Sequence, residues 1–370
     1  MTDPYRLALV GVAAAALAYI VALRTKRPPA VMTAPSMMTA VAARENACVL
    51  QPSWPTPVPK AGEVLIKVKA TAINRLDCNQ RAGKAPVPPG VTEILGLEAA
   101  GVVVSTGDEV VGFSAGDEVL ALLPGGGYAE YACVDSATVM RKPAKLSWAA
   151  AASVPEAWLT AFKLVHLVGH VGAGDVVLIH AAASGVGIAA VQLVVAAGAT
   201  ALVTVGTRDK LDMLVQRFGA VGGAVRHDGA WVDTIAGLLP AGKKGVDVVL
   251  DPVASNYVQQ NLDSLAIDGR WVLYSLMSGP AVPETTAKTL LAQLAKKRIS
   301  LQATTLRTRP RAFKQQLVAR FAKEVLPLIA AGQMTHVIDK EFGGLADAQA
   351  AHAYMESNAG AGKIVLKVAA

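Results

Sequence analysis

The sequence is short of cysteine, of aromatic residues and of charge. Cys48, Cys78 and Cys133 are the only three cysteines among 370 residues. An odd, sparse set gives no disulfide framework and cannot make a four-cysteine structural zinc site. They read as reduced thiols of a cytosol-like compartment. Charged residues make up 17% and aromatics 5%, against 53% hydrophobic residues. That balance excludes a disordered chain and provides the cores of two domains, or three. The aromatic–basic interleaving of an RNA platform is also missing, so nucleic acid is an unlikely partner. What the chain does have is glycine, 33 of them, which suits an α/β protein with tight turns and small residues at helix–sheet contacts.

The formal net charge is +7, and part of the excess is local. Nine Lys or Arg and no acid lie between Lys296 and Lys323. Such a run is read as a solvated face, or as a patch facing a membrane or phosphates.

Only one long hydrophobic run occurs, the 17 uncharged residues Leu7 to Leu23. As a helix it is about 26 Å long, near the lower limit for crossing a bilayer. Arg24, Lys26 and Arg27 follow it, which favours a cytosolic carboxyl side. The reading is an uncleaved anchor over residues 1–30 and a Pro- and Met-rich linker over 31–38, giving a single-pass, membrane-tethered protein. A removed targeting segment and a buried helix are the alternatives.

From Thr39 to Val139 short apolar runs alternate with turn residues, as in a small barrel or sandwich. Val64-Leu-Ile-Lys-Val-Lys, Gly101-Val-Val-Val-Ser and Glu118-Val-Leu-Ala-Leu-Leu are its clearest strands. Beyond Gly174 the pattern changes to β–turn–α–β. Asp175-Val-Val-Leu-Ile-His is a buried strand, Ala181-Ala-Ala-Ser-Gly-Val-Gly a turn, Ile188 to Ala197 a helix and Ala201-Leu-Val-Thr-Val the next strand. This is the context a dinucleotide fingerprint needs. The fingerprint is degenerate, with Ala182, Ser184 and Gly187 at the three glycine positions. A tight turn in an unrelated sheet is the plain alternative.

NAD-binding units commonly end the second strand in Asp or Glu, which accepts from the ribose 2′-hydroxyl. Gly206 stands there, followed by Thr207, Arg208 and Lys210. Removing the carboxylate and adding cations favours a 2′-phosphate, hence NADPH. Ligands of such sheets bind at the carboxyl ends of the strands, which makes Leu276 and Met277 cofactor-side candidates.

Taken in order, Ile73-Asn-Arg-Leu-Asp, Gly96-Leu-Glu-Ala-Ala-Gly, Ala115-Gly-Asp-Glu-Val, Gly126-Gly-Tyr-Ala-Glu-Tyr and Ser184-Gly-Val-Gly resemble the zinc-free, zeta-crystallin-like quinone oxidoreductases of the medium-chain dehydrogenase/reductase superfamily. Leu122-Leu-Pro-Gly-Gly-Gly, Pro155-Glu-Ala-Trp-Leu-Thr-Ala-Phe, Asp268-Gly-Arg-Trp-Val-Leu-Tyr and Gly362-Lys-Ile-Val-Leu are most similar to the tumour-suppressor-inducible subgroup. The resemblance covers residue 39 to the carboxyl end. It implies a GroES-like β-rich catalytic domain (39–160 and 301–370) around an inserted Rossmann doubly wound parallel sheet (161–300). It implies no catalytic metal, because Asn74 and Leu97 stand where zinc-dependent relatives carry Cys and His. Asn74 and Thr160 are expected on the nicotinamide side, with Ser184, Gly185, Val186 and Gly187 around the pyrophosphate. Gly206, Thr207, Arg208 and Lys210 are expected on the 2′-phosphate, and Lys363 returning to the cofactor. Arg226 replaces a Tyr that relatives often carry beside the adenosine. Lys84-Ala85-Pro86 replaces a substrate-side Tyr, which leaves Tyr128 as a candidate proton donor, with a packed glycine-turn role as its plainer reading.

The implied activity is hydride transfer from NADPH to a quinone, by a homodimer. An enoyl or enone reductase on the same fold and a non-enzymatic nucleotide- or RNA-binding scaffold are the rivals.

Overall fold

The computed structural model describes residues 33–368. Fifteen strands follow in chain order: β1 (Met37–Arg44), β2 (Ala47–Pro55), β3 (Glu63–Ile73), β4 (Glu98–Thr106), β5 (Glu118–Leu122), β6 (Tyr131–Asp135), β7 (Val139–Arg141), β8 (Val176–Ile179), β9 (Thr200–Val205), β10 (Gly222–Val225), β11 (Val246–Asp251), β12 (Leu265–Leu273), β13 (Ser300–Ala303), β14 (Ile338–Phe342) and β15 (Lys363–Lys367). They form two principal sheets and a hairpin.

The first sheet runs β14-β15-β3-β4-β5-β7, with β6 also paired to β3. Both ends of the chain build it, because β15 pairs antiparallel with β3, Ile364 opposite Ile73. Alternating residues of β3 and β4 bury Val64, Ile66, Val68, Ala99 and Val103 in one core, which β1 and Tyr128 close. Period-two patterning of this kind marks a sheet with distinct faces.

The second sheet runs β10-β9-β8-β11-β12-β13, all parallel. Its central strands β8, β9 and β11 are almost wholly buried because helices cover both faces. All four residues of β8 are buried, and the helix Gly185–Ala196 packs on them with Ile188, Ala189, Val191 and Leu193. The chain is thus an α/β protein that combines a GroES-like β-rich unit with a Rossmann-type parallel sheet, as expected. Strand order reverses between β8 and β11, and this reversal opens the crevice in which such sheets hold nucleotides.

The membrane expectation is corrected. Among the described residues no helix is long and apolar enough to cross a membrane. The longest, Arg311–Glu324, has 14 residues and several charges, about 21 Å against a hydrocarbon core of about 30 Å. The run Leu7–Leu23 lies outside the described residues. The membrane partner and the single-pass localisation are therefore not carried further.

Candidate active site

Where β3 ends, Asn74 adopts an extended conformation and starts the helix Arg75–Arg81. The Asp77 carboxylate accepts from the Asn74 amide at 2.8 Å and the Gly96 amide at 3.1 Å, satisfying donors that a helix start leaves open. The Asn74 side chain is thereby free to face elsewhere. Its Nδ2 donates to Glu98 Oε1 at 2.8 Å, and its Oδ1 accepts from Lys363 Nζ at 2.6 Å. Lys363 Nζ also donates to Glu98 Oε1 at 2.7 Å and to the Ile73 carbonyl at 2.9 Å. Glu98 Oε2 accepts from the Glu156 amide at 2.8 Å. Three strand or helix ends, from β3, β4 and β15, are thus tied to the start of the helix Pro155–Phe162, which also carries Thr160, itself buried.

This cluster touches the nucleotide turn. Ser184 caps the helix Gly185–Ala196, its Oγ accepting from Gly187 N at 3.1 Å. Ser184 also bridges to Gly362, whose amide donates to the Ala183 carbonyl. A Cβ on Gly185 would lie 2.6 Å from Lys363 Cδ, and one on Gly187 would lie 2.5 Å from Ala182 Cα and O. Gly187 therefore keeps the glycine role of the fingerprint, close helix–strand packing, although the other two glycines are missing. The Gly185 and Val186 amides, at the positive end of this helix, point to no acceptor among the described residues, a donor set suited to pyrophosphate.

At the end of β9, Gly206 has open space in front of it, bounded by the Arg226 guanidinium 3.9 Å from where a Cβ would be. Thr207 is the extended N-cap of the helix Arg208–Phe218. The basic neighbours divide. Arg226 lines the space and donates to His227 Nε2 at 2.9 Å, Arg208 leans 3.5 Å from Asp228, and Lys210 turns away to the Asn358 carbonyl at 2.8 Å. Leu276 and Met277, about half exposed, follow β12. Their loop is held by Met277 N on the Pro252 carbonyl and Ser278 N on the Val253 carbonyl. These residues could hold a dinucleotide with its phosphates at the β8 and β9 ends.

Tyr128 is placed elsewhere. It is fully buried, packed on Gly96, with its hydroxyl 3.1 Å from His352 Nε2. In that position it is a core residue, and burial pushes its phenol well up. Two groups not singled out from the sequence lie near the Asn74–Glu98–Lys363 cluster instead. Glu156, half-buried, has its carboxyl pushed up to about 7, by burial first and by neighbouring Glu98 second. Arg307, beyond β13, donates to the Pro124 carbonyl at 2.7 Å, and its Nη2 is buried without a partner. The first hid in a helix's acidic first turn, the second in the basic run.

Among the described residues no three His, Cys, Asp or Glu side chains are grouped to hold a metal ion.

The alcohol dehydrogenase GroES-like domain family matches residues 60–144, and a family described as zinc-binding dehydrogenase matches residues 224–366. The quinone oxidoreductase of Sus scrofa is 35% identical over 225 residues, 60% of this chain and 68% of that protein. Highly-reducing polyketide synthase 1 of Aureobasidium melanogenum is 31% identical over 309 residues, 82% of this chain, which spans 13% of the synthase's length. Among solved structures, a mycobacterial protein complexed with NADPH superposes with a TM-score of 0.78 at 28% identity, covering 89% of this chain and 99% of the other. The quinone oxidoreductase of Pseudomonas syringae pv. Tomato DC3000 gives 0.78 at 26% identity, covering 90% and 100%. The chain belongs to the quinone oxidoreductase family of the medium-chain dehydrogenase/reductase superfamily.

Proposed function

We propose that the protein reduces quinones or related conjugated carbonyls with NADPH, without a metal. The observation that carries this reading is the position of Lys363. It joins Asn74 and Glu98 of the β-rich unit to Gly185 at the nucleotide turn, so cofactor side and acceptor side share one cleft. The similarity to a solved protein complexed with NADPH supports the choice of cofactor.

When bound, the dinucleotide supplies a hydride from C4 of its nicotinamide. The remaining tasks fall to the chain. The Gly185 and Val186 amides hold the pyrophosphate, and Arg226, with Arg208 beside it, holds the 2′-phosphate in the space Gly206 leaves. Asn74 and Thr160 orient the nicotinamide, while Leu276 and Met277 cover it from water. Asn74 is fit for that task because Lys363 and Glu98 fix both ends of its amide. The motifs Leu122-Leu-Pro-Gly-Gly-Gly and Pro155-Glu-Ala-Trp-Leu-Thr-Ala-Phe support placement in the tumour-suppressor-inducible subgroup.

A second reading, reduction of an enone or enoyl group, is favoured by the likeness to a highly-reducing polyketide synthase over 82% of this chain. The scaffold reading loses its support, because the basic run is largely engaged within the molecule. Lys297 caps the Leu262 and Leu265 carbonyls, Arg298 pairs with Asp268, Arg311 with Asp135 and Arg320 with Glu324. Turnover of NADPH, and of NADH as control, with 1,4-naphthoquinone and with cyclohex-2-enone tests the readings. Oxidation of neither cofactor by either acceptor would refute both.

A further inference from the structure

Tyr128 is locked in the core and is in no position to give a proton to an acceptor. Glu156 has the position to replace it. Its amide is bonded to Glu98 Oε2, one link from Asn74 and Lys363. It stands one helical turn before Thr160, so both side chains lie on one face of the helix Pro155–Phe162. Its carboxyl enters no hydrogen bond or ion pair with any described residue, although cations surround it. Such a carboxyl has not been recruited into the structure.

The charged groups around Glu156 come from five segments of the chain. Glu98 on β4, Asp77 on the helix Arg75–Arg81 and Lys363 on β15 act from the β-rich unit. Lys163, buried and pushed down to about 8 by desolvation, caps the carboxyl end of Glu156's own helix. Arg307 and Lys314 act from beyond β13. Arg307 is anchored at one nitrogen by the Pro124 carbonyl, and the Lys314 ammonium fixes its backbone through the Arg307 carbonyl at 2.7 Å. The guanidinium keeps Nη2, buried and unpartnered, for another acceptor. A buried guanidinium donor without a partner, within electrostatic reach of Glu156, is the kind of group an oxyanion contact needs.

We propose that Glu156 is the proton donor to the reduced acceptor and that Arg307 Nη2 holds the acceptor's oxygen. This rests on the reductase reading above. A hydride from NADPH adds to the conjugated system with two electrons, leaving NADP⁺ and a hydroquinone monoanion or an enolate. The negative charge develops on the oxygen beside Arg307. The Glu156 O–H bond breaks, its proton passes to the anion, and the resulting carboxylate takes a proton back from water. Burial keeps the carboxyl protonated up to about pH 7, where a general acid is most useful.

The test uses the full chain with NADPH, 1,4-naphthoquinone and cyclohex-2-enone, and the variants Glu156→Gln, Glu156→Asp and Arg307→Met. Wild-type kcat for the enone should decline as pH rises above neutrality. Glu156→Gln should remove that decline and lower enone kcat by about 100-fold, within the range for loss of a general acid. Its effect on the quinone should be smaller, since water can protonate a hydroquinone anion. Glu156→Asp should restore the pH profile, and NADPH affinity should stay unchanged in both. Independently of turnover, infrared titration should show a protonated-carboxyl band that disappears near pH 7 and is absent from Glu156→Gln. Arg307→Met should lower kcat/KM for both acceptors by about tenfold, the equivalent of one charge-assisted hydrogen bond to the developing charge. If Glu156→Gln keeps both the band and the wild-type profile, the assignment is wrong while the reductase reading stands. If the wild type oxidises NADPH with neither acceptor, reading and assignment fall together.

Discussion

Lys363 Nζ and Glu98 Oε1 pair at 2.7 Å across 265 residues of sequence, with the lysine side chain 6% exposed and the glutamate wholly buried. The pair clamps the last strand of the chain to β4 and sets Asn74 between them.

Removing one partner strands a buried charge, which costs about 3–5 kcal/mol. Glu98→Gln and Lys363→Met should each lower the unfolding free energy read from urea titration by that order, and the double variant Glu98→Gln/Lys363→Met should recover much of the loss. Lys363→Met should also weaken NADPH binding, because the side chain packs on Gly185. Additive losses in the double variant would mean that the two residues act separately.

The 2′-phosphate contacts should follow a ranking the structure provides. Arg226 lines the open space at Gly206, Arg208 is shared with Asp228, and Lys210 is engaged with the Asn358 carbonyl. A charge-assisted hydrogen bond contributes about 1.5–3 kcal/mol, or roughly 10- to 100-fold in affinity. Arg226→Ala should therefore weaken NADPH binding by that factor and NADH binding little, with Arg208→Ala intermediate and Lys210→Ala weakest. Fluorescence titration with both dinucleotides measures it. Equal losses for NADPH and NADH would remove Arg226 from the phosphate site.

Much of this was legible in the sequence, and the limits have physical causes. The β–turn–α–β unit is local, so period and turn residues declare it, and Gly187 declares the packing of its helix on Ala182. The acceptor side is non-local. Asn74, Glu98 and Lys363 meet only because β3, β4 and β15 lie in one sheet, and Glu156 and Arg307 are brought near them from the helix Pro155–Phe162 and the segment after β13. In sequence, Glu156 looks like any favourable acid in a helix's first turn. Arg307 looks like one more cation of a basic run, yet it turns inward to Pro124 while Arg298 and Arg320 stay outside. Charge counting cannot separate the two kinds. Tyr128 follows a glycine turn, where a packed ring is the plainer expectation than a proton donor, and Gly96 lies so close that the ring is packed into the core.

Two glycines of the nucleotide turn should respond differently to alanine. At Gly187 the added methyl meets Ala182 backbone atoms at 2.5 Å, which cannot move without breaking the strand–helix contact. At Gly185 it meets Lys363 Cδ at 2.6 Å, part of a flexible side chain. Gly187→Ala should lower the melting temperature and abolish NADPH binding, through overpacking of about 1–3 kcal/mol or more. Gly185→Ala should leave melting nearly unchanged and reduce NADPH affinity by displacing Lys363. A stable, NADPH-binding Gly187→Ala protein would deny the third fingerprint position its packing role.

Acid should act on this fold through groups of opposite sign. His352 is buried against Tyr128, and desolvation pushes its pKa down from 6.5 to about 4. Between those values the unfolded chain carries a proton that the folded chain refuses. Stability is lost as pH falls through that window, at up to about 1.4 kcal/mol per pH unit. His180, bonded to Thr204 and Asn261 and also lowered by burial, acts in the same direction. Glu156 does the reverse. Its pKa is raised to about 7, so the folded state holds a proton that the unfolded state releases, and stability grows as pH falls from about 7 toward the ordinary glutamate value. The wild-type profile between pH 7 and 5 should be shallow because these slopes oppose one another. Urea midpoints of variants expose them. His352→Leu should gain stability relative to wild type as pH falls from 7 to 5, whatever it loses uniformly from the Tyr128 hydrogen bond. Glu156→Gln should lose stability relative to wild type over the same range, by less, since its half-buried carboxyl is partly screened. Parallel profiles for wild type and both variants would show that neither group titrates in that interval.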